Sequence, residues 1–302
     1  MKKKLLVVAL IAMLSLTACA ATSTLKGTIN VYTRDSSSGT REAFFGFIAL
    51  TDKLSAKAIE VTGNGDMATK VGADTNSIGY VSLTTDFAAS KLVALTYNGV
   101  AATKANVLNN TYALQRPFNY VTRATGDFSS PLKEEIVKAF IDYLVNSVEG
   151  QEIVTSKGGI VEASKATAWA TLATKYPNLS KASTVTIMTG GSTSVDTTLK
   201  AALEGFKSLT GAQFQINQTG SGDGYKRALG SDKDSANKID IGFASRAFKA
   251  EEVVSKGALS GSYCMDGIAV VVQKDNKILK DANKDLLFKI FSGATSTWAS
   301  VK

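Results

Sequence analysis

The sequence predicts an α/β fold, and three observations carry the prediction. Short runs rich in β-branched and aromatic residues alternate with segments of helical periodicity. The alternation breaks at residues 166–183 and then restarts. Several predicted strands lead through Ser, Thr and Gly loops into predicted helices, the composition that helix N-termini favour.

Taken in order, Thr28 to Tyr32 reads as a strand, followed by a Ser/Gly loop and a helix from about Arg41. Ser77 to Leu83 and Phe118 to Val121 read as further strands. Glu134 to Val148 reads as a helix with Ile136, Phe140, Ile141 and Leu144 on one face. Ser130-Pro131 marks its start and Glu149-Gly150 its end. Residues 166–183, with Tyr176-Pro177-Asn178, read as a connector that is helical in part. Val185 to Met188 is the next strand. It leads through a Gly/Ser loop to a helix carrying Leu199, Ala202, Leu203 and Phe206 at i, i+3, i+4 and i+7. Phe214 to Asn217, Ile239 to Phe243 and Gly267 to Val272 complete the strands, with helices near Tyr225 and over Asp285 to Phe291.

The first nineteen residues stand apart. Lys2, Lys3 and Lys4 form a positive start, Leu5 to Leu16 an apolar stretch, and Leu16-Thr17-Ala18-Cys19 a close of small residues before a cysteine. This is the pattern of a signal peptide, and the apolar stretch is too short to span a membrane. It resembles the bacterial lipobox, which implies lipidation at Cys19 and a short polar tether over residues 20–26.

Composition narrows the function. The 302 residues are 44% hydrophobic and 20% charged, enough for a buried core. The formal net charge is +8, and loss of Lys2, Lys3 and Lys4 leaves +5. The lysines are scattered rather than blocked, which argues against a nucleic-acid partner. There is no histidine, so the commonest general base and zinc ligand are missing. Cys264 is the one cysteine outside the leader and reads as a buried small hydrophobe. Trp169 and Trp298 read as packing residues. Asp223, Asp232 and Asp234 lack a calcium-loop pattern. No catalytic residue, metal or cofactor is expected.

Three loops share one composition: Arg34 to Thr40, Thr189 to Ser194, and Thr219 to Gly224. Each places hydroxyl residues and glycines at a predicted helix start. Unpaired N–H groups and partial positive charge gather there, glycine admits close approach, and hydroxyls rotate to donate. The loops are therefore either ordinary helix caps or an oxyanion cradle. Arg34 adds a planar, permanent charge suited to such an ion. Asp240 stands in an apolar strand, where it is either a capping residue or an acceptor for the proton that phosphate carries and sulfate lacks. Arg246 supports such a pocket or makes a salt bridge.

The motifs RDSSSGTR (34–41), SIGYVSL (77–83), Arg116-Pro117, FIDYLVNSVEGQEIV (140–154), TGGSTSV (189–195), GSGDG (220–224), DIGFASR (240–246), DGIAVV (266–271) and IFSGATSTW (290–298) together resemble the periplasmic phosphate-binding proteins of ABC importers. The resemblance covers nearly all of residues 27–302. It implies a two-lobed, type II periplasmic-binding-protein fold that closes on one phosphate, an ABC-transporter partner, and a site outside the cytoplasm. It also implies ion contacts from Arg34, Ser38, Gly39, Thr40, Thr193, Ser194 and Ser221, with Asp240 taking the phosphate proton. The order of halves differs from the family pattern as a circular permutation would. That order implies one split lobe of residues 27–117 plus 275–302 and one continuous lobe of 118–274. Hinges are then expected near Arg116 to Val121 and near Val270 to Lys274, with adjacent chain ends. The competing readings are a binding protein for sulfate or molybdate, a secreted phosphoesterase or serine hydrolase, and a sensor or adhesion lipoprotein of the same fold.

Overall fold

The computed structural model describes residues 25–162 and 166–301. The expected signal peptide, Cys19 and most of the expected tether lie outside the described residues. The strands and helices run β1 (Asn30–Arg34), α1 (Gly39–Ile48), β2 (Ile59–Val61), α2 (Asn64–Ala73), β3 (Ser77–Ser82), β4 (Leu92–Ala94), β5 (Thr96–Tyr97), α3 (Lys104–Leu108) and β6 (Gln115–Thr122). They continue with α4 (Pro131–Asn146), α5 (Val148–Ser156), α6 (Trp169–Ala173), β7 (Thr186–Gly191), α7 (Asp196–Thr210), β8 (Gln213–Asn217), α8 (Ser221–Ala228) and β9 (Ile241–Ala244). The chain closes with β10 (Ser260–Gln273), β11 (Asp281–Ala282) and α9 (Lys284–Ser292). The expected α/β alternation is present.

One sheet runs in the order β2-β1-β3-β10-β6-β9-β7-β8, with β4 also paired to β10. The outer strands pair in parallel, β1 with β2 and β3, and β7 with β8 and β9. The central strands β10 and β6 run antiparallel to each other and to their outer neighbours. Parallel strands need crossover helices, and these bury both faces of the sheet. All six residues of β3 are buried as a result.

Two main hydrophobic cores form. The first is built around Phe44, Ile48, Tyr80, Ile268 to Val272 and Phe291. Phe44 stacks on Tyr80 with centroids 4.3 Å apart and meets Phe291 edge-on at 5.0 Å. The second is built around Phe118, Phe140, Tyr143, Leu199, Phe206 and Phe243. Burying each such ring contributes roughly 1.5–3 kcal/mol. The chain passes from the first core (Leu114) to the second (Phe118) along β6. It returns along β10 between Cys264 and Ile268. That return lies earlier than the expected Val270 to Lys274, because Val270 to Val272 already pair with β3 and β4 inside the first core.

Residues 27–29 lie against residues 296–298. The Trp298 amide donates to the Gly27 carbonyl at 3.0 Å, and Ile29 donates to Ser296 at 2.8 Å. The connector is packed rather than loose. Trp169 lies edge-on to Tyr143 at 5.4 Å, and both Tyr176 Oη and Lys175 Nζ reach Asp142 at 3.1 Å.

One helix boundary differs from expectation. The helix that starts at Ser130-Pro131 ends at Asn146, and Glu149-Gly150 falls inside the next one. Ser147 makes the break: its hydroxyl donates to the Tyr143 carbonyl at 2.6 Å and accepts the Gly150 amide at 2.8 Å. Gly150 is a packing residue there, since a Cβ would run into the Tyr143 carbonyl.

Candidate functional site

In parallel α/β units the C-terminal ends of strands and the N-termini of the following helices gather on one side of the sheet. Here β1 delivers Arg34 and then Ser38 at the cap of α1. β7 delivers Ser192 to Ser194 ahead of α7. β8 delivers Gly220 and Ser221 at the start of α8, and β9 leads directly into Ser245. The first unit belongs to the first core; β7, α7, β8 and β9 pack in the second, and α8 packs in a small cluster with Val121 and Ile239 beside it.

These ends meet face to face. Thr40 Oγ1 lies 2.8 Å from Ser194 Oγ and 3.5 Å from Ser245 Oγ. Ser221 Oγ accepts the Ser245 amide at 3.0 Å and lies 3.3 Å from Ser245 Oγ. The Gly222 amide donates to the Ser37 carbonyl at 3.2 Å, and Ser37 Oγ donates to the Thr219 carbonyl at 3.0 Å. Gly39 has no room for a side chain, since a Cβ would strike Cβ and Oγ of Ser221. Gly220 holds a φ of 143°, open to glycine and rarely to other residues. Thr40, Ser194, Ser221 and Ser245 are all essentially buried.

The helix starts are capped in a way that frees protons. Ser38 Oγ accepts the Arg41 amide at 3.3 Å, and Ser192 Oγ accepts the Ser194 amide at 3.2 Å. A hydroxyl that accepts a cap bond keeps its own proton for another partner.

Two buried guanidinium groups supply charge. Arg34 is 2% exposed. Its Nη2 donates to Asp35 Oδ2 and to the Thr62 carbonyl, both at 3.2 Å, while its Nε is buried without a protein partner. Arg116 is equally buried and pairs with the fully buried Asp266 at 2.9 Å. Burial pushes Asp266 above the usual carboxylate range, although Arg116 pulls it down. Burial likewise lowers Arg116, and the Arg34 charge adds to that lowering.

The expected residues therefore divide. Ser38, Gly39, Thr40, Ser194 and Ser221 come together, with Arg34 entering on the same strand-to-helix loop. Thr193 sits at the margin, where its Oγ1 accepts the Asn64 amide of α2 across the two cores at 3.2 Å. Asp240 does not join them, and its expected role is corrected. It precedes β9, whereas Ser245 follows it, a separation of about 16 Å at strand rise. Its Oδ2 accepts the Met188 amide at 2.8 Å and pairs with Lys133 Nζ at 2.9 Å. Asp240 thus pins β9 to β7 and α4 at the far end of the strands. Asp240→Asn is expected to lower stability by about 1–2 kcal/mol, in line with one charge-assisted bond. It should leave the phosphate-to-sulfate affinity ratio unchanged, which thermal melts and competition titrations check.

Arg116, Ser245 and Arg246 were not singled out as ion contacts by sequence. The usable signal was position: Ser245 and Arg246 sit at the C-terminal end of a predicted strand, where such folds bind ligands. Arg246 makes the salt bridge. Its Nε lies 3.0 Å from Glu42 Oε2 across the cores, and its two Nη atoms reach Glu252 at 2.6 and 2.7 Å. Cys264 is a buried hydrophobe whose thiol is pushed up by burial. Trp298 packs in the first core and donates Nε1 to the Asn76 carbonyl at 2.9 Å. Among the described residues no cluster of three or more His, Cys, Asp or Glu is placed to hold a metal. No helix among them is long and apolar enough to cross a membrane.

Two α/β cores joined by two crossing strands, with a donor-rich cluster between them, define a two-lobed protein of the periplasmic-binding-protein class. The comparisons agree. Residues 167–301 match the model of the PBP superfamily domain. The chain is 31% identical over 315 residues to the phosphate-binding protein PstS 2 of Streptococcus pneumoniae serotype 4, covering 99% of both chains. It is 30% identical over 291 residues to the phosphate-binding protein PstS 2 of Streptococcus agalactiae serotype V, covering 93% of this chain and 90% of that one. A crystal structure of a phosphate ABC transporter phosphate-binding protein from Streptococcus pneumoniae TIGR4 superposes with a TM-score of 0.65 at 29% identity, covering 91% of this chain and all of that one. The chain belongs to the PstS family of phosphate-binding proteins.

Proposed function

We propose that this protein captures inorganic phosphate outside the cytoplasm and hands it to the membrane subunits of an ABC importer, without covalent chemistry. One observation carries the reading: buried hydroxyls from both cores converge at helix starts beside Arg34, whose buried Nε has no protein partner. Such an array offers N–H, O–H and guanidinium donors to a tetrahedral anion in a low-dielectric setting. Family membership supports phosphate as that anion and an importer as the partner. The leader pattern supports a lipid anchor at Cys19, and the contact between Gly27 and Trp298 supports the permuted order of halves.

The enzyme reading lacks support in the site. A serine nucleophile needs a base within reach, and among the described residues the hydroxyl of Ser38 meets the Arg41 amide and no carboxylate or amine base. The sulfate reading gains from one observation. With Asp240 outside the cradle, selectivity falls to hydroxyls, which accept a phosphate proton as well as donate.

The test is calorimetric titration of residues 20–302 with phosphate, with sulfate as competitor. One-to-one phosphate binding is expected, with sulfate competing more weakly. No binding of phosphate overturns the reading, and tighter sulfate binding replaces the ion.

A further inference from the structure

We infer that Arg116 is a positioning residue of the ion site: it biases Thr40 to donate its hydroxyl proton toward the anion, and does so from the point where the two cores join. The inference rests on the oxyanion reading above and adds to it a residue that does not itself need to touch the ion.

A guanidinium only donates. Arg116 spends Nε and Nη2 on one oxygen, Asp266 Oδ2, at 3.0 and 2.9 Å. Its Nη1 donates to Thr40 Oγ1 at 2.6 Å and to the Ser245 carbonyl at 3.2 Å. Thr40 has one hydroxyl proton. Since its oxygen accepts from Arg116, that proton must point elsewhere, toward the hydroxyls of Ser194 and Ser245 where the cradle is built. A free threonine can turn either lone pair toward an anion, whereas here one lone pair is held by Arg116, which biases the hydroxyl toward donating.

The guanidinium is itself immobile. Arg116 and Asp266 sit directly opposite each other on β6 and β10, where both strands pass between the cores. Asp266 Oδ1 accepts from Ser82 Oγ at 2.9 Å and from the Leu83 amide at 3.1 Å, so neither partner can swing away. The pair is internally neutral and contributes direction more than net charge. One Nη1 also holds Thr40 of the first core and Ser245 of the second, so its full bonding exists only when the cores are closed on each other.

The experiment is phosphate titration and thermal melting of the mature chain and four variants. Arg116→Met alone strands a buried carboxylate and is avoided in favour of R116M/D266N, which removes both charges at similar volume. This double variant is expected to fold and to bind phosphate ~10–100-fold more weakly, the range for one charge-assisted bond. Arg116→Lys serves as a second route: it keeps the charge but lacks the fork to hold Asp266 and Thr40 together, and is expected to bind as weakly. Thr40→Val should lose a similar factor, and T40V/R116M/D266N should be no weaker than Thr40→Val. Parent-like affinity in R116M/D266N or in Arg116→Lys, or losses that multiply in the triple variant, would overturn the inference alone. A parent that binds no oxyanion overturns the proposed function and this inference with it.

Discussion

Arg34→Met is expected to weaken phosphate binding by at least a hundredfold. The substitution keeps an apolar stem of similar reach in a site that is 2% exposed, so packing changes little. What it removes is a buried charge and a planar set of donors. Two bonds, to Asp35 and to the Thr62 carbonyl, hold one arm of the guanidinium, and Nε faces no protein acceptor. Hydrogen bonds to a charged partner in a dry setting contribute about 1.5–3 kcal/mol each, and loss of one side of a buried charge pair costs about 2–5 kcal/mol. A hundredfold corresponds to about 2.7 kcal/mol, at the low end of that range. Arg34→Lys should recover part of the loss, because a point charge replaces the charge but not the fork. Calorimetry on both variants checks the order, and equal affinity of Arg34→Met and the parent would remove Arg34 from the site.

Gly39→Ala carries the second large effect, by a different route. A single methyl at this position collides with Cβ and Oγ of Ser221. Both atoms are fixed: Ser221 opens α8, and its hydroxyl accepts the Ser245 amide. The collision lies between the two cores rather than within either, so each core should still fold while the starts of α1 and α8 are held apart. Hydroxyls that meet at 2.8 Å in the closed arrangement, Thr40 and Ser194, then no longer share one ion. Phosphate affinity should fall by more than a hundredfold, and small-angle scattering with phosphate should show a larger radius than the parent. Gly46→Ala is the control, because it lies in the same helix with open space around its Cα. It should bind phosphate as the parent does and gain about 0.5–1 kcal/mol of stability from helix propensity. Parent-like binding by Gly39→Ala would show that close approach of these two helix starts is not needed.

The contrast between the two glycines shows how far sequence alone reaches. Sequence places Gly39 in a donor-rich loop and Gly46 inside the helix that follows, but it does not show that Ser221 of a distant loop packs against Gly39. What sequence does carry is local. The strand over residues 77–82 is readable from SIGYVS, and the loops over 34–40, 189–194 and 219–224 announce helix starts rich in donors. These follow from side-chain propensity and from the unpaired N–H groups of any helix start, which act over a few residues. The short strands β2, β4, β5 and β11, at two or three residues each, carry too few side chains for a period to show.

Asp240 marks the limit. In sequence it is a carboxylate beside an apolar strand in a chain with a donor-rich site, and a role as proton acceptor follows easily. The strand has two ends, and the side-chain period of two does not tell which end faces the cleft. Its true partners, Met188 and Lys133, lie 52 and more residues away. Arg116 is the converse: an arginine before a proline, ordinary by any local rule. Its partners Thr40, Ser245 and Asp266 are 76, 129 and 150 residues distant. The sequence by itself determined the α/β alternation, the three donor-rich helix starts and the charge at Arg34, because these depend on neighbours along the chain. Only the tertiary structure decided that Asp240 is a strut, that Gly39 is a contact surface and that Arg116 stands behind the cradle. The physical reason is that burial and hydrogen-bond partnership are set by which strand ends the sheet order brings together.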